Sequence, residues 1–480
     1  MKISFCIDEI LSIKFITAII ILFLSFVQAW TPLHAAILFV DAQVGEPGCD
    51  LVEAINSANN DESEGGCVSI DPYGDDRIVI LLDEIVLEQA YEVESQNAFP
   101  EINSKISIIG SPDGSLTGST DGSLTRIVRS ESPATPNFNF FNVTINGDLT
   151  LQHLELFNGN VGRSESGFLF SSDAINISGQ ATLNNVSVRN NGGGRSTITV
   201  SGTELFPATL RIEKSSFYRN SPLEDGRGVI GLGNNSKLDV FDSTFSANQG
   251  TAIANYTLGG SMSVSLINTT IVNNTGGYSG GLKLNIARST SDEKRSITVR
   301  NSIISGNRNR INTAFFAEMF FSDQFGGEGV STATPILDNN VIGESTLTTE
   351  EAIGYNIALD NSNQLATSDG GTPIALNQIV SSAVSPLGRT TYHPLASNSP
   401  AIDTGIQFRL VTSLFNLVLP GCRGESIIGG SEPEAYRRDQ IGSERPLDAE
   451  CDIGAIEYQE MDEQCYVVPV KNGSTVVFCL

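Results

Sequence analysis

Six copies of one short pattern, an apolar β-type run that ends in Asn, decide the fold of this chain: Leu154–Gly159 (LELFNG), Val186–Asn191 (VSVRNN), Ser216–Asn220 (SFYRN), Thr244–Asn248 (TFSAN), Thr270–Asn274 (TIVNN) and Ile303–Asn307 (IISGN). Aligned on the final asparagine of the pattern, they place Asn158, Asn190, Asn220, Asn248, Asn274 and Asn307 at spacings of 32, 30, 28, 26 and 33 residues. Self-similarity at a nearly fixed period indicates a solenoid, whose units bury their apolar faces only by stacking.

The repeated unit is predicted to be made of strands. Gly, Asn, Ser and Thr interrupt every apolar run before two helical turns can form, which disfavours helical repeats. Alternation of apolar and polar residues, as in Leu238–Phe241 and Ser263–Ile267, is typical of a strand with one buried face. The sequence therefore predicts an all-β parallel β-helix over residues 77–398, with its clearest repeats at 149–310.

The asparagine column has a structural interpretation. Asn tolerates the left-handed backbone conformation, and its side-chain amide can bond to the Asn of the next coil. We therefore predict that the six aligned asparagines form a turn ladder on one edge of the solenoid, and not six separate polar sites.

Composition limits the partners. The formal charge of −27 argues against nucleic acid, which requires clustered Lys and Arg, and against an anionic membrane surface. A soluble monomer outside the cell fits this acidity.

The first 35 residues resemble an export signal. Lys2 and Lys14 precede an apolar run at 15–27, which is too short for a membrane span. Cleavage after Ala35 or Ala29 fits the small-residue rule, and Ala35 is preferred because a strand-like segment follows it. Removal leaves six cysteines, an even number that suits disulfides in an oxidising compartment: Cys49, Cys67, Cys422, Cys451, Cys465 and Cys479.

Residues 36–76 are predicted to cap the first coil. The segment 49–59 places apolar residues on one helical face, and Asp50 and Glu53 fit the two positions of a capping box. A helix laid over the exposed end of a β-helix removes an unpaired edge. A Cys49–Cys67 disulfide would fasten this cap.

The cap segment also carries a family resemblance. Cys49, Leu51, Glu53 and Ala54 match a hexapeptide, Cys-Ser-Leu-Arg-Glu-Ala, at the N-terminus of secreted bacterial β-helix proteins, with Asp50 and Val52 at its Ser and Arg positions. Residues 399–405, 439–446 and 451–457 resemble the closing region of the same proteins, which often precedes a surface anchor. This resemblance implies a right-handed β-helix of the pectin-lyase type, a group that includes polysaccharide lyases, hydrolases and non-catalytic surface proteins.

A cluster of phenylalanines follows the repeats. Five of them, Phe315, Phe316, Phe320, Phe321 and Phe325, lie within eleven residues, and the period fails after Asn309. The segment 311–334 is predicted to be an aromatic insertion. Its rings either pack onto the solenoid wall or form an exposed aromatic platform for sugars or a partner; the first alternative is favoured because large apolar patches seldom stay exposed.

No catalytic constellation stands out. Gly277–Gly281 matches the nucleophile-elbow pattern, but an alternating strand follows it where a helix is needed, so we expect a plain turn. His153 lies in a repeat strand and His393 in a loop, with no spacing that suits zinc. Arg189 and Arg219 are expected to stack on successive coils, which requires carboxylates or an anionic ligand between them; Glu213 and Asp242 are available, but the sequence does not place them on that face. No catalytic residue is assigned.

One acidic loop is a candidate for calcium. Its carboxylates are Asp61, Glu62, Glu64, Asp71, Asp75 and Asp76. Calcium prefers such oxygen ligands, but the alternating order of a defined calcium loop is missing, and acidic loops are usually only solvated. No other cofactor is expected.

The tail, residues 460–480, is predicted to be a hairpin. Two β-rich runs flank Lys471-Asn472-Gly473, and Asn-Gly is among the strongest hairpin signals. Pairing Cys465 with Cys479 centres the turn on residue 472. Residues 399–459 then form the C-terminal closing region between solenoid and tail.

Two functions remain open on this basis. The first is a secreted or cell-surface β-helix protein without catalysis, acting in adhesion or glycan binding. The second is a polysaccharide lyase or glycoside hydrolase that acts on acidic polysaccharide, which rests on fold analogy alone. A groove with carboxylates and a buried Arg or Lys would favour the enzyme, whereas a smooth wall of short polar side chains would favour the binding protein.

Overall fold

The computed structural model describes residues 35–91, 96–111, 113–116, 123–160, 172–222, 228–257, 259–287, 293–310, 316–322, 332–353, 359, 362–386, 389–405, 438–443, 445 and 451–458, with the backbone of 465–469 and 475–479. The pairs between successive coils are parallel. The chain is therefore an all-β parallel β-helix, as predicted. The right-handed winding implied by the resemblance is the hand that parallel crossovers nearly always adopt.

The coils stack into three walls. Wall 1 contains β1 (Ile37–Val40), β2 (Asp76–Ile80), β4 (Lys105–Gly110), β11 (Ala208–Glu213), β19 (Arg295–Arg300) and β23 (Ile336–Asp338). Wall 2 contains β3 (Glu84–Leu87), β5 (Thr125–Arg129), β12 (Ser216–Tyr218), β20 (Ile303–Ser305), β24 (Val341–Ile342) and β25 (Gln364–Leu365). Four long strands run through both walls: β7 (Asp148–Phe157), β9 (Gln180–Arg189), β14 (Ser236–Ser246) and β16 (Met262–Val272).

Wall 3 is a separate seven-stranded parallel sheet. Its strands are β6 (Phe141–Val143), β8 (Ser172–Ile177), β10 (Ser196–Val200), β13 (Ile230–Leu232), β15 (Ile253–Asn255), β18 (Leu282–Asn285) and β22 (Met319–Ser322). A short pair, β17 (Thr275–Gly276) and β21 (Arg308–Asn309), joins walls 2 and 3. Alternate residues of each wall point inward and form one continuous core. Phe217 and Phe245, for example, stack with ring centroids 4.5 Å apart.

Two columns of left-handed residues turn the chain at the corners. The corner between walls 1 and 2 is formed by His153, Asn185, Lys214, Asp242, Asn268, Asn301 and Asn339, with φ between 44° and 54°. The corner after wall 2 is formed by Asn158, Asn190, Arg219, Ala247, Asn273 and Gly306, with φ between 55° and 69°. Asn dominates because it is one of the few residues with a side chain that enters this conformation readily.

The buried asparagine ladder follows this second corner, one residue later than predicted in the first two copies. Asn158 and Asn190 belong to the left-handed corner and not to the ladder. The ladder consists of Asn191, Asn220, Asn248, Asn274 and Asn307, each at most 1% exposed. These five residues do not have positive φ. The left-handed residues and the stacked amides therefore form two adjacent columns, where the sequence predicted a single one.

Each ladder amide bonds in the same direction. The Nδ2 of Asn220 donates to Oδ1 of Asn248 (3.0 Å), and Nδ2 of Asn248 donates to Oδ1 of Asn274 (2.7 Å). Every Nδ2 also donates to a carbonyl oxygen of the preceding coil, as from Asn248 to Phe217 (3.0 Å). The last amide, Asn307, donates to the carboxylate of Glu318 at 2.7 Å. The ladder therefore satisfies its buried amides and stitches successive coils together.

The N-terminal cap forms as predicted. Helix α1 (Leu51–Asn60) buries its apolar face against the core, and Asp50 caps it by accepting from the N–H of Glu53 at 2.9 Å. A Cys49–Cys67 disulfide fastens the cap. The second half of the predicted capping box is wrong, because the carboxylate of Glu53 accepts from the N–H of Gly66 at 3.0 Å instead.

The aromatic segment is more than an insertion. Strand β22 lies inside the predicted insertion 311–334 and pairs in parallel with β18, so this segment supplies a regular coil of wall 3. Of its five phenylalanines, Phe315 and Phe325 lie outside the described residues. Phe321 packs against the core, whereas Phe316 and Phe320 are partly exposed.

A strap then runs back over wall 2. The last stacked strand is β25, after a short helix α2 (Thr349–Ile353). Helix α3 (Leu376–Ile379) opens the segment that we call the strap, residues 376–386, 389–405, 438–443, 445 and 451–458. It covers the outer face of wall 2, where Val272, Ile303 and Val341 form a second core with strap residues. The outer side chains of wall 2 are short and polar here, and the strap hydrogen-bonds to them: the N–H of Thr391 donates to Oγ of Ser216 (2.9 Å), Oγ1 of Thr244 donates to Oε1 of Gln440 (2.6 Å), and the N–H of Ala455 donates to Oγ1 of Thr270 (3.0 Å).

A buried ion cluster fastens the strap at the first corner. The Arg445 guanidinium, 1% exposed, lies 3.3 Å from Asp242 and 2.7 Å from Glu457. Burial raises the pKa of Asp242 to about 6 and that of Glu457 to about 7. Arg445, Asp452 and Glu457 belong to the closing region on which the family resemblance rests, so these matching residues have a structural role.

The tail is a hairpin. Strands β26 (Cys465–Pro469) and β27 (Thr475–Cys479) pair antiparallel with Cys465 opposite Cys479, which confirms the predicted register. The bond between these two cysteines stays a prediction. Cys451 is disulfide-bonded, but Cys422 lies outside the described residues, as do residues 1–34 of the predicted signal.

Candidate functional site

Three partly exposed aromatic rings lie together where β17 leads into wall 3. Tyr278 lies in the turn at 277–281, and Phe316 and Phe320 come from the segment that contains β22. Side chains of β22 alternate, so Met319 and Phe321 point into the core while Phe320 points outward. We call Tyr278, Phe316, Phe320 and Lys283 the aromatic platform.

The rings form a continuous surface. The centroids of Tyr278 and Phe320 are 5.9 Å apart at an interplanar angle of 25°, and those of Phe316 and Phe320 are 5.9 Å apart at 31°. Lys283 is the direct cross-strand neighbour of Phe320, and its ammonium lies 4.2 Å from the centroid of Tyr278. Flat apolar rings and one cation therefore share a single outward face.

The turn that carries Tyr278 is rigid. A side chain at Gly280 would overlap the carbonyl oxygen of Asn274, and one at Gly281 would overlap that of Glu318, so both positions require glycine. Ser279 is fully buried and donates to the carbonyl oxygen of Ala317 at 3.1 Å. The pattern Gly277–Gly281 is therefore a turn into a strand, as predicted.

The platform is anchored to the asparagine ladder through Glu318. This residue precedes Met319 of β22 and is fully buried, with Oε2 accepting from both the backbone N–H (3.2 Å) and Nδ2 (2.7 Å) of Asn307. Burial raises its pKa to about 8, so the carboxyl is protonated at neutral pH. Phe320 is thus held two residues from the end of the most regular hydrogen-bonded column of the molecule.

The two arginines expected to stack do not share a column. Arg189 lies opposite Tyr218, and Arg219 falls in the left-handed corner, with its guanidinium 4.9 Å from the Tyr218 ring centroid. Alignment on Asn190 instead of Asn191 caused the one-residue error. Glu213 pairs with Arg211, and Asp242 with Arg445, so neither joins Arg189.

Arg189 lies in a different cluster. Its NH1 is 3.7 Å from Glu155, a buried carboxylate that also bonds to Arg126 at 2.9 Å. Both guanidiniums lie over the Phe157 ring, at 5.8 Å and 5.2 Å from its centroid. Two guanidinium groups thus share one carboxylate and one aromatic ring, which is typical of a structural ion network.

Two carboxylates of the acidic loop, those of Asp75 and Asp76, bind separate partners. Asp75 pairs with Lys105 at 2.6 Å. Asp76 is fully buried and accepts from the N–H groups of Ala36 (3.0 Å) and Gly74 (2.8 Å). Within the ranges that the structure describes, no three acidic, His or Cys side chains gather as metal ligands. Calcium binding stays an untested prediction.

The histidines occupy unequal positions. His153 lies in the first corner, 2.8 Å from the Asn185 amide. His393 lies under the strap, with Nε2 2.7 Å from Oγ of Ser246 and Nδ1 2.8 Å from the carbonyl oxygen of Ser381. Sequence reasoning missed this second arrangement because its partners are 147 residues apart and follow no local pattern.

The comparisons leave the family open. No protein-family model and no curated protein matches this sequence. In the described part of the chain no helix has the length and apolar character needed to cross a membrane.

Proposed function

We propose that this protein binds glycans outside the cell through the aromatic platform. The observation that carries the proposal is the outward set of Tyr278, Phe316 and Phe320, with the Lys283 ammonium on the same face. A sugar ring presents an apolar C–H face that packs on aromatic rings, and a cation beside the rings suits a glycan with carboxylate groups.

The surroundings of the platform favour ligand binding over catalysis. The glycine turn and the Glu318 anchor fix the rings before a ligand arrives, which lowers the entropy cost of binding. The Glu318 carboxyl beside the platform strand is turned into the core and accepts a bond from Asn307. These features favour the platform as a surface that holds a saccharide.

Location outside the cell is part of the same proposal. It is supported by the predicted export signal and by the Cys49–Cys67 disulfide, since such bonds persist mainly in oxidising compartments. A rigid solenoid would also hold the platform at a distance from the point where the protein is attached, which suits adhesion to a polysaccharide.

The test is a glycan array on the purified mature protein, followed by titration of the best acidic oligosaccharide. Phe320→Ala and Tyr278→Ala are each expected to weaken binding about tenfold or more, as loss of a central aromatic contact does. Lys283→Gln should weaken acidic glycans and leave neutral ones nearly unchanged.

Phe206→Ala is the matched control, because Phe206 is 49% exposed and lies in a loop outside the platform. Equal binding by wild type and Phe320→Ala would refute the platform. An assay of the same preparation for new reducing ends and unsaturated products shows whether the bound polysaccharide is also cleaved.

A further inference from the structure

The strap does not seal wall 2 completely. Between the strap and the second corner lies a cavity of about 550 Å³, bordered by Tyr218, Ser246, Asn273, Glu344, Ser381 and His393 among others. This volume falls within the usual range of small-molecule sites. The charge on its wall is balanced, because the Glu344 carboxylate pairs with Arg308.

Ser246 and His393 meet at the floor of this cavity. Ser246 ends β14 and points outward, and its Oγ is 2.7 Å from Nε2 of His393. The other ring nitrogen, Nδ1, is 2.8 Å from the carbonyl oxygen of Ser381. Both side chains are almost entirely buried, at 1% and 3% exposed, yet both border the cavity.

The hydrogen bonds fix the tautomer of His393. A carbonyl oxygen can only accept, so the Nδ1 that faces Ser381 must carry a proton. Burial lowers the pKa of His393, so its ring is neutral at neutral pH and Nε2 has a free lone pair. The hydroxyl of Ser246 therefore donates to Nε2, which is the arrangement of a serine nucleophile with its general base.

A further donor borders the same cavity. Asn273 lies in the left-handed corner, directly after Val272, which is the cross-strand neighbour of Ser246. A side-chain amide of this kind can stabilise the oxyanion of a tetrahedral intermediate. The nucleophile and the amide donor thus come from two successive coils, and the base and its orienting carbonyl come from the strap.

We propose that Ser246 and His393 form a hydrolytic centre for esters of small acyl groups. Oγ of Ser246 bonds to the ester carbonyl carbon while its proton passes to Nε2 of His393. The carbon–alkoxide bond breaks as Nε2 returns that proton to the departing alcohol. Water then repeats the sequence on the acyl-serine, which releases the carboxylic acid and restores Ser246.

Cavity size and charge set the substrate class. A volume of about 550 Å³ and a charge-balanced wall suit a short acyl chain together with part of a neutral alcohol. The centre lies on wall 2 and the aromatic platform on wall 3, so the ester activity stands whether or not the platform binds glycan.

Covalent labelling of the full mature protein is the first test. A fluorophosphonate probe should label wild type at neutral pH, and peptide mass spectrometry should find the adduct on Ser246. Ser246→Ala should remove the label. Ser305→Ala is the matched control, because Ser305 occupies the same outward column two coils away but donates to the carbonyl oxygen of Gly343 at 2.7 Å.

Hydrolysis of p-nitrophenyl acetate is the second test, with p-nitrophenyl palmitate as the long-chain comparison. Ser246→Ala should lower the acetate rate by about 10³-fold, and Asn273→Ala by about 10²-fold, as loss of a nucleophile or of an oxyanion donor does. Asn273 is exposed, so its substitution should leave the fold intact.

Three outcomes overturn the proposal: no adduct on wild type, an adduct on another serine, or unchanged hydrolysis in Ser246→Ala. In the first case, a lower melting temperature of Ser246→Ala would identify the Ser246–His393 bond as an anchor of the strap only. The wild-type labelling result decides the matter even if a variant fails to fold.

Discussion

The stack of coils and the strap that crosses it are held by opposite chemistry. The stack is joined by neutral amides, each of which repeats the bonds of the one before it, from Asn191 to Asn307. The strap is joined by ionisable groups that occur once each, namely Arg445, Asp242, Glu457 and His393. The ladder thus repeats one neutral contact, whereas the ion cluster and the His393 contact occur once each, beside the neutral hydrogen bonds of the strap to Ser216, Thr244 and Thr270.

This difference indicates how each region should respond to damage. A neutral amide ladder keeps its bonds across the whole pH range, and the loss of one member leaves the others in place. A buried ion cluster depends on each partner, because the removal of one charge leaves the rest uncompensated in a region without water. We therefore expect local, pH-independent effects at the ladder amides and larger, pH-dependent effects in the strap; Glu318, which ends the ladder, is the ionisable exception.

Arg445→Ala should have the largest effect. It removes the cation that faces Asp242 and Glu457 and should destabilise the strap by about 3–5 kcal/mol, the usual result of breaking a buried ion pair. Hydrogen exchange should show fast exchange at 451–458 and little change in β14. Lys105→Ala, which breaks an exposed pair with Asp75, is the control and should cost under about 1 kcal/mol. Slow exchange throughout in Arg445→Ala would show that the cluster does not hold the strap.

Asn248→Ala should have the next largest effect. It removes two acceptor bonds from Asn220 and two donor bonds, to Phe217 and Asn274, and leaves buried groups without partners. We expect a loss of about 2–3 kcal/mol in denaturant unfolding, since each orphaned group costs about 1–3 kcal/mol and some relax. The loss should be the same at pH 5 and pH 8. Asn158→Ala, in the corner column, should cost less.

The strap should also open more readily as pH rises. The folded pKa values of Asp242, about 6, and Glu457, about 7, lie above their ordinary values, so the closed strap holds more protons than the open one. Stability from these groups is complete below pH 4 and is lost as pH rises toward 7. After correction for intrinsic rates, opening at 451–458 should increase at least about tenfold between pH 5 and pH 8, because Asp242 alone loses about one pKa unit of stabilisation over this interval.

Glu457→Gln should flatten this dependence. His393 acts in the opposite direction, because its lowered pKa makes stability fall as pH drops below its ordinary value of 6.5. The difference between wild type and Glu457→Gln at each pH isolates the carboxyl from the histidine. A wild-type exchange profile that is flat from pH 5 to pH 8 would remove the contrast between strap and stack.

Glu318→Gln tests the ionisable group at the end of the ladder. Its folded pKa of about 8 exceeds the ordinary 4.5, so wild type loses stability as pH rises through that interval. Gln keeps an acceptor for Asn307 and has no charge to bury, so the variant should be more stable than wild type at pH 9, by more than the roughly 1.4 kcal/mol that corresponds to one pKa unit, and match it at pH 4. A variant that is equally less stable at both pH values would contradict the burial argument.

The sequence predicted the stack far better than the strap, for a physical reason. A repeated strand leaves a periodic pattern, and one left-handed corner with its buried amide leaves Asn in nearly every copy. Even so, Asn190 and Asn191 are adjacent, as are Asn273 and Asn274, and only the cross-strand register tells which of each pair enters the ladder. The alignment chose correctly at Asn274 and wrongly at Asn190.

The strap contacts leave no such pattern. Thr391 meets Ser216 across 175 residues, and Ala455 meets Thr270 across 185, so neither pair can be read from spacing. The aromatic platform could be predicted less well than the stack but better than the strap. The phenylalanine cluster was visible in the sequence, but the part played by Tyr278 depends on a turn that brings it beside Phe320 only after the coils have stacked.

The strap also constrains how many coils the solenoid can have beneath it. Its bonds to Ser216, Thr244 and Thr270 fall on three successive coils, and they require those coils to be present in fixed number and order. A whole coil added or deleted before Ala181 would leave these three strap contacts intact. The same change between Ser216 and Thr270 would move strap residues out of register with their partners on wall 2. Repeat proteins commonly evolve by duplication of units, and in this molecule the strap divides the repeats into a segment that is free to change length and a segment that is not.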